Sequence, residues 1–187
     1  MRSRTKKASS KSLVLAFSNW GFSWGGVLDN RKGEWWLIGQ VLLIAAHLLP
    51  AWSPFKDSEI IWPTWLTIVG TCLLIIGIIK SAKAFISLGP NLSPLPNPKA
   101  GSKLVQTGSY KFCRHPLYQG IIISSLGIVI SVGSIFHALL SFSLTVLLIK
   151  KAKREELLLI HKHLNYKNYL ESTPAIIKGI PLLDWRN

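Results

Sequence analysis

The sequence predicts an all-α integral membrane protein with four transmembrane helices, the last two forming a helical hairpin, and with a cytoplasmic amphipathic helix near the C-terminus. Three observations support this fold class. Hydrophobic residues make up 49% of the 187 residues and charged residues only 16%, a balance typical of chains that prefer lipid to water. Several uncharged stretches are long enough to span a bilayer. The basic residues flank these stretches.

The crossings are predicted from stretches that lack Asp, Glu, Lys and Arg, since a crossing takes about 20 mainly apolar residues. Trp35 to Trp52 is predicted as the first crossing, and Ile60 to Ile79 as the second. His115 to Ile149 is too long for one crossing, and residues 131–134 near its centre are a Gly- and Ser-containing sequence typical of a turn. This third stretch is therefore predicted to be two helices folded back on each other.

The positions of the basic residues predict the topology. Of the 22 Lys and Arg residues, all except Lys56 lie before the first crossing, between the second and third, or after the fourth. Because cytoplasmic loops are enriched in Lys and Arg, the chain is predicted to be multi-pass with both termini in the cytoplasm. The net charge of +14 fits an anionic membrane surface better than nucleic acid, since the charges flank apolar runs and do not line a groove.

Three segments lie outside the predicted crossings. Residues 1–34 are predicted to form a basic arm and an interfacial segment; an organellar transit peptide is the alternative for the arm, and whether residues 18–26 enter the bilayer stays open. Leu88 to Pro98 contains four prolines and is predicted to be an ordered strap, because proline removes backbone donors. Ala152 to Leu170 is predicted to continue the fourth helix as an amphipathic tail that ends before Pro174.

A dense set of polar residues lies at the two cytoplasmic ends of the predicted hairpin. Residues equidistant from the turn of an antiparallel hairpin lie at the same depth, and Glu155 follows Ile149 by only about 9 Å of helix, within the headgroup zone. Connectivity therefore predicts one cluster, composed of Arg114, His115, Tyr118, Lys150, Lys151, Glu155 and Glu156. A plainer interpretation exists for each part: paired glutamates often form a solvated face, and Arg114 could extend to lipid phosphates.

No metal site is predicted from the sequence. Cys72 and Cys113 have no metal-ligand spacing and no disulfide framework. His161 and His163 lack the four-residue separation of a helical metal site.

About the last 110 residues carry several motifs in a fixed order. These are the strap, the segment Leu104-Val105-Gln106-Thr107-Gly108-Ser109-Tyr110, then Arg114-His115-Pro116-Leu117-Tyr118-Gln119-Gly120, then Glu155-Glu156-Leu157, Tyr166, Tyr169 and Ile180-Pro181. In this order they resemble the integral membrane methyltransferases of the isoprenylcysteine carboxyl methyltransferase and phospholipid methyltransferase group.

The resemblance implies a function and a set of site residues. It implies transfer of a methyl group from S-adenosyl-L-methionine to a lipid-soluble acceptor at the cytoplasmic membrane face, the first choice being the carboxylate of a prenylated thiol compound. Residues 35–187 would then be the membrane methyltransferase domain. The implied cofactor-binding residues are Tyr110, His115, Tyr118, Gly120, Glu155 and Glu156, and the expected catalytic residues are Arg114 and Lys151.

Two other function classes stay open at this point, as does the oligomeric state. The prenylcysteine enzymes carry arginines before the strap and before the acidic pair, where this chain has Lys80, Lys83, Lys150 and Lys151. Lysine lacks the bidentate fork of arginine, so the acceptor need not be a prenylcysteine. A membrane lipid reductase or isomerase of similar architecture is one alternative. A non-enzymatic basic membrane adaptor is the other.

Overall fold

The chain folds into helices joined by short irregular segments. The computed structural model describes residues 24–51, 61–98 and 101–186, and it contains no strand within these ranges. The α-helices are α1 (Trp24–Asp29), α2 (Glu34–Ala46), α3 (Thr64–Leu88), α4 (Pro116–Val132), α5 (Ile135–Lys162) and α6 (Tyr166–Ser172). Single 3₁₀ turns cover Gly89–Asn91 and Gly108–Lys111. The predicted basic arm, most of the interfacial segment and residues 52–60 lie outside the described ranges.

The described helices confirm the all-α fold class and the membrane character of the chain. α3 and α5 are each long and apolar enough to cross a bilayer, while α2 and α4 are shorter apolar helices of 13 and 17 residues. Only 11% of the most apolar window of α3 is buried in the protein, and Ile68, Ile75 and Ile86 are about half exposed or more. Such an apolar surface is suited to contact with lipid.

α3 is longer than the predicted second crossing. The prediction ended at Ile79 because Lys80 is the next residue, but the helix continues to Leu88. A charge at the membrane edge does not end a helix, whereas Gly89 with φ of 50° followed by Pro90 does. α3 therefore delivers the chain directly into the strap.

α4 and α5 form the predicted hairpin. α4 ends at Val132, Gly133 adopts a left-handed conformation with φ of 62°, and the Ser134 side chain caps α5 by accepting the backbone N–H of His137. A Cβ atom on Gly133 would lie 2.4 Å from the ring of Trp62. Both the backbone angle and the packing therefore require glycine at this turn.

α3 and α4 form the closest helix pair in the described part of the chain. A Cβ on Gly77 would lie 2.6 Å from the carbonyl oxygen of Gly120, and one on Gly120 would lie 2.7 Å from that of Gly77. Gly70 and Gly127 face each other in the same way, at 2.6 and 2.7 Å. Small residues allow this approach of two backbones, as in other membrane helix pairs.

We expect Gly77→Ala to destabilise the protein by about 1–3 kcal/mol, because the added methyl group meets backbone atoms that cannot move aside. Gly39→Ala is the matched control, since its Cβ would meet only the flexible Leu147 side chain, at 3.0 Å. Thermal unfolding of both variants in the same detergent measures the difference. Equal midpoints for the two variants would contradict the close packing of α3 on α4.

The core lies between the hairpin and the segment after α6. Its buried members are Tyr118, Ile122, Leu144, Leu148, Ala152, Ala175 and Ile176.

The amphipathic tail differs from the predicted continuous helix, because α5 ends at Lys162 and the chain turns at His163 before α6 begins. The turn buries Tyr166 and Tyr169, and the Tyr169 hydroxyl donates to the Tyr110 carbonyl oxygen at 2.5 Å. The sequence contains no Gly or Pro at this break, and burial of the two rings accounts for it.

Candidate functional site

Backbone hydrogen bonds to the segment after α6 hold the two residues that precede α4. The backbone N–H groups of Arg114 and His115 donate to the carbonyl oxygens of Pro174 and Ala175, both at 2.9 Å. Pro116 is the first residue of α4, where its missing N–H leaves no helical hydrogen bond unmade. The segment after α6 therefore positions the side chains that begin α4.

Glu156 is surrounded by donors from the protein. Its Oε1 accepts from Arg114 Nε at 2.7 Å and lies 2.9 Å from His115 Nε2, and its Oε2 accepts from Trp185 Nε1 at 2.7 Å. The residue is 3% exposed. A buried carboxylate needs such partners, and here both oxygens have them. Glu156 therefore joins Arg114, His115 and Trp185 in the interior of the site.

Glu155 points to a different environment from its neighbour. The Tyr118 hydroxyl donates to Glu155 Oε1, and Glu155 Oε2 lies 3.7 Å from His115 Nδ1. The rings of His115 and Tyr118 are stacked, with centroids 5.4 Å apart and planes 3° from parallel. Glu155 lines a cavity, and Glu156 does not. Glu155 is therefore the member of the pair whose carboxylate a ligand can reach.

Arg114 is an interior cross-link. Its buried guanidinium donates to Glu156, to the Leu170 carbonyl oxygen at 2.6 Å, to the Trp185 carbonyl oxygen at 2.7 Å and to the Thr173 carbonyl oxygen. A second contact with Glu156, at 3.4 Å from Nη2, completes the use of all five donors. Arg114 thereby joins α5, α6 and the segment that follows α6.

The cavity lies beneath the strap, between α4, α5 and α6. Its polar lining consists of Asn91, Ser93, Ser102, Lys103, Tyr110, Arg114, His115, Tyr118, Glu155, Tyr166 and Tyr169. Leucine, proline and valine side chains supply the rest of the wall. Within the strap, Ser93 Oγ donates to the Asn97 carbonyl oxygen at 2.9 Å. The strap is also bonded to the segment that follows it, because the Lys103 backbone N–H donates to Asn91 Oδ1 at 2.8 Å.

Lys151 lies behind the cavity wall. Its ammonium donates to Gln40 Oε1 on α2 at 2.7 Å and to the Pro94 carbonyl oxygen in the strap at 2.8 Å. It also lies 5.3 Å from the centroid of the Tyr118 ring, a cation–π contact. With 2% exposure, Lys151 ties the strap to α2 and α5.

The phenols and the thiol around the cavity outside the long helices are held in their neutral forms. Burial raises the pKa of Tyr110, with the nearby Glu155 carboxylate adding to the effect. Burial likewise raises the pKa of Tyr169 and brings the pKa of the Cys113 thiol to about 11. At neutral pH these groups therefore carry no negative charge, which leaves Glu155 as the acidic group that lines the cavity.

The structure brings most of the predicted site residues together. Tyr110, Arg114, His115, Tyr118 and Glu155 line the cavity, while Glu156 lies directly behind His115. Gly120 faces α3 and Lys151 faces the strap, and neither lines the cavity.

Other residues of the site were missed by the sequence analysis. Asn91, Ser93 and Ser102 line the cavity, and Trp185 contacts Glu156. Polar residues among the prolines of the strap were a usable signal for the first two. Nothing in the local sequence indicates a role for Trp185.

A second cavity, of about 560 Å³, opens between α2, α3, α4 and α5. Its wall is almost wholly apolar and includes Ile78, Phe85, Ile121 and Leu144. Leu117 lines both cavities. An apolar compartment thus adjoins the polar one at the start of α4.

Among residues 24–51, 61–98 and 101–186, no group of three or more His, Cys, Asp and Glu side chains is placed to hold a metal ion. His47 and His137 lie away from the polar cavity, and their contacts are with each other and with neighbouring helices. His47 Nε2 lies 2.7 Å from Ser125 Oγ, and His137 Nε2 lies 3.3 Å from the His47 carbonyl oxygen.

Comparison with known proteins gives one family match and several similar proteins. The family model for phospholipid methyltransferases matches residues 65–165. Protein-S-isoprenylcysteine O-methyltransferase of Mus musculus is 27% identical over 157 residues, which cover 77% of this chain and 55% of that protein. The Homo sapiens protein of the same name is 28% identical with the same coverage, and that of Xenopus laevis is 27% identical over 161 residues. The chain spans about half the length of these curated relatives.

Proposed function

This chain belongs to the phospholipid methyltransferase family, and from that premise we propose that it transfers a methyl group from S-adenosylmethionine to a lipid-soluble acceptor at the cytoplasmic membrane face. The observation that carries the proposal is the Glu155 carboxylate, which lines a cavity together with His115 and Tyr118. S-adenosylmethionine is zwitterionic and carries a sulfonium. Its binding site therefore needs groups that attract positive charge close to groups that attract negative charge.

The residues present fit such a cofactor. Glu155 offers a carboxylate to an ammonium group, a charge-assisted contact that is stronger than a neutral hydrogen bond. Tyr110, Tyr118 and Tyr166 line the same cavity, and aromatic faces attract a nearby cation by about 0.5–2 kcal/mol. Asn91 and Ser93 of the strap, and Ser102 after it, add uncharged polar groups to the same wall. When bound, the cofactor supplies an electrophilic methyl group.

The residues of this chain bind and orient the cofactor and the acceptor. They need not move a proton if the acceptor is a carboxylate. Transfer then forms a carbon–oxygen bond as the carbon–sulfur bond breaks, and no hydrogen is removed. Orientation of two reactants can supply about 7–11 kcal/mol of the barrier reduction. His115, fixed by Glu156 and stacked on Tyr118, shapes the cavity wall. Arg114 and Lys151 act as positioning residues, because their donors are used on protein oxygens.

We propose the carboxylate of a prenylated thiol compound as the acceptor. The relatives named protein-S-isoprenylcysteine O-methyltransferase support this choice, as does the apolar cavity that meets the polar one at Leu117. The apolar tail would lie among α2, α3 and α4, with the carboxylate beside the polar cavity. An amphiphile of this kind enters from the bilayer, while the cofactor enters from the cytoplasm.

The proposed membrane arrangement has four crossings, formed by α2, α3, α4 and α5, with both termini in the cytoplasm. α3 and α5 support it by their length and apolar composition. The asymmetric distribution of Lys and Arg supports the orientation. Residues 35–187 form the methyltransferase domain of this arrangement, and α6 lies with the strap on the cytoplasmic side.

A methylation assay tests the proposed activity. Purified protein in lipid nanodiscs is incubated with methyl-labelled S-adenosylmethionine and a small S-prenylated cysteine, with the corresponding carboxamide as the control acceptor. We expect label in a methyl ester of the carboxylate compound and none in the carboxamide. Equal labelling of both compounds would contradict a carboxylate acceptor. Absence of label from both, and from a total lipid extract, would contradict the methyltransferase function.

A further inference from the structure

We propose that Trp185 is a positioning residue of the candidate cofactor site. Its indole N–H holds the Glu156 carboxylate in the orientation that fixes His115. The inference rests on the proposed function only for its effect on cofactor affinity. Trp185 lies in the segment after α6 and belongs to none of the motifs named above. Its Nε1 donates to Glu156 Oε2 at 2.7 Å, and its carbonyl oxygen accepts from Arg114 at 2.7 Å.

The two oxygens of Glu156 are held by different groups. Oε1 is close to both Arg114 Nε, at 2.7 Å, and His115 Nε2, at 2.9 Å. Oε2 has a short hydrogen bond from Trp185 and a longer one of 3.4 Å from Arg114. The terminal torsion of a glutamate is soft, so loss of the indole donor leaves Oε2 with only the longer bond from Arg114 and allows the carboxylate to turn about that torsion. Rotation moves Oε1 away from the His115 ring.

The orientation of His115 determines what the cavity presents to a ligand. The imidazole has Glu156 Oε1 at one nitrogen and Glu155 Oε2 at the other, 2.9 and 3.7 Å away. Its face stacks on Tyr118, which in turn donates to Glu155. A partner that fixes one ring nitrogen of a histidine also sets the role of the other. Trp185 thus acts on the cavity through Glu156 and His115.

Trp185 is itself held in place by a contact from α5 and by hydrogen bonds within its own segment. The Lys153 ammonium lies 5.2 Å from the centroid of the Trp185 ring. The backbone N–H groups of Ile176 and Ile177 donate to the Leu183 carbonyl oxygen at 2.9 and 3.1 Å. Asp184 Oδ2 accepts from the Gly179 backbone N–H at 3.1 Å. The indole is therefore presented to Glu156 by a folded turn.

The test compares Trp185→Phe with Trp62→Phe in the full chain. Each change removes one indole donor and keeps an aromatic ring; Trp62 Nε1 donates to the Ile130 carbonyl oxygen at 3.1 Å, at the far end of the hairpin. The first readout is the ¹⁵N spectrum of the histidine rings without any ligand, with the His115 signals assigned from His115→Gln. The second is calorimetric titration with S-adenosylhomocysteine, alongside the thermal midpoint.

We expect W185F to shift the His115 ring signals and to raise the Kd for S-adenosylhomocysteine by about tenfold, the scale of one hydrogen bond to a charged group. W62F is expected to lower the thermal midpoint about as much as W185F does, because each variant loses one indole hydrogen bond. It is expected to leave the His115 signals and the Kd unchanged. If W185F does not fold, Asp184→Asn loosens the same turn and is expected to shift the same signals. His115 signals that match the wild type in the folded variant would overturn the proposal. Failure of the wild type to bind the ligand would instead count against the proposed function, and the ring signals would still decide the role of Trp185.

Discussion

Replacing Glu155 with glutamine is expected to weaken binding of S-adenosylhomocysteine by at least about 30-fold while leaving the fold intact. Removing one charge from a buried ion pair costs about 2–5 kcal/mol, and each 1.4 kcal/mol is a factor of ten. Glutamine keeps the shape of the side chain and still offers Tyr118 an acceptor oxygen. Calorimetric titration of the detergent-solubilised variant measures the loss of affinity.

Two further variants make the Glu155 result specific. Glu171→Gln, on the exposed side of α6, is expected to bind the ligand like the wild type. Glu156→Gln is expected to lower the thermal midpoint as well as the affinity, because Arg114 and Trp185 lose their charged partner. Wild-type affinity in Glu155→Gln would contradict the assignment of this carboxylate to the cofactor ammonium.

Replacing Arg114 with methionine is expected to destabilise the protein by about 3–5 kcal/mol, the cost of breaking a buried ion pair from one side. The change leaves the buried Glu156 carboxylate without its arginine partner. It also removes the donors to the carbonyl oxygens of Leu170 and Thr173. Arg114→Lys is expected to restore little of the lost stability, because one ammonium cannot reach all the oxygens to which the five guanidinium donors bond. Thermal unfolding with circular dichroism measures the effect.

The control for Arg114→Met is Arg154→Met, at an exposed position of α5. It removes the same charge and adds the same side chain, and we expect a change within about 0.5 kcal/mol. Similar unfolding midpoints for the two variants would show that Arg114 is not the cross-link between α5, α6 and the segment after α6.

Much of the fold follows from the order of apolar and charged residues. The hairpin was predictable because a long uncharged stretch with Gly133 at its centre has to fold back. The length of α3 was not, because a helix ends where its backbone geometry fails, at Gly89 and Pro90. The break between α5 and α6 depends on the burial of Tyr166 and Tyr169, and burial is a property of the packed chain.

The sequence by itself determined that His115 and the Glu155–Glu156 pair share one level of the hairpin, because connectivity sets depth. Only the tertiary structure decided which glutamate faces the cavity. Adjacent helical residues point about 100° apart, and the rotation of α5 about its axis is set by packing against α4 and the segment after α6. The same rotation turns Lys151 toward the strap and Gly120 toward α3. Trp185 joins the site because a distant segment folds back onto α4, a contact that no local pattern encodes.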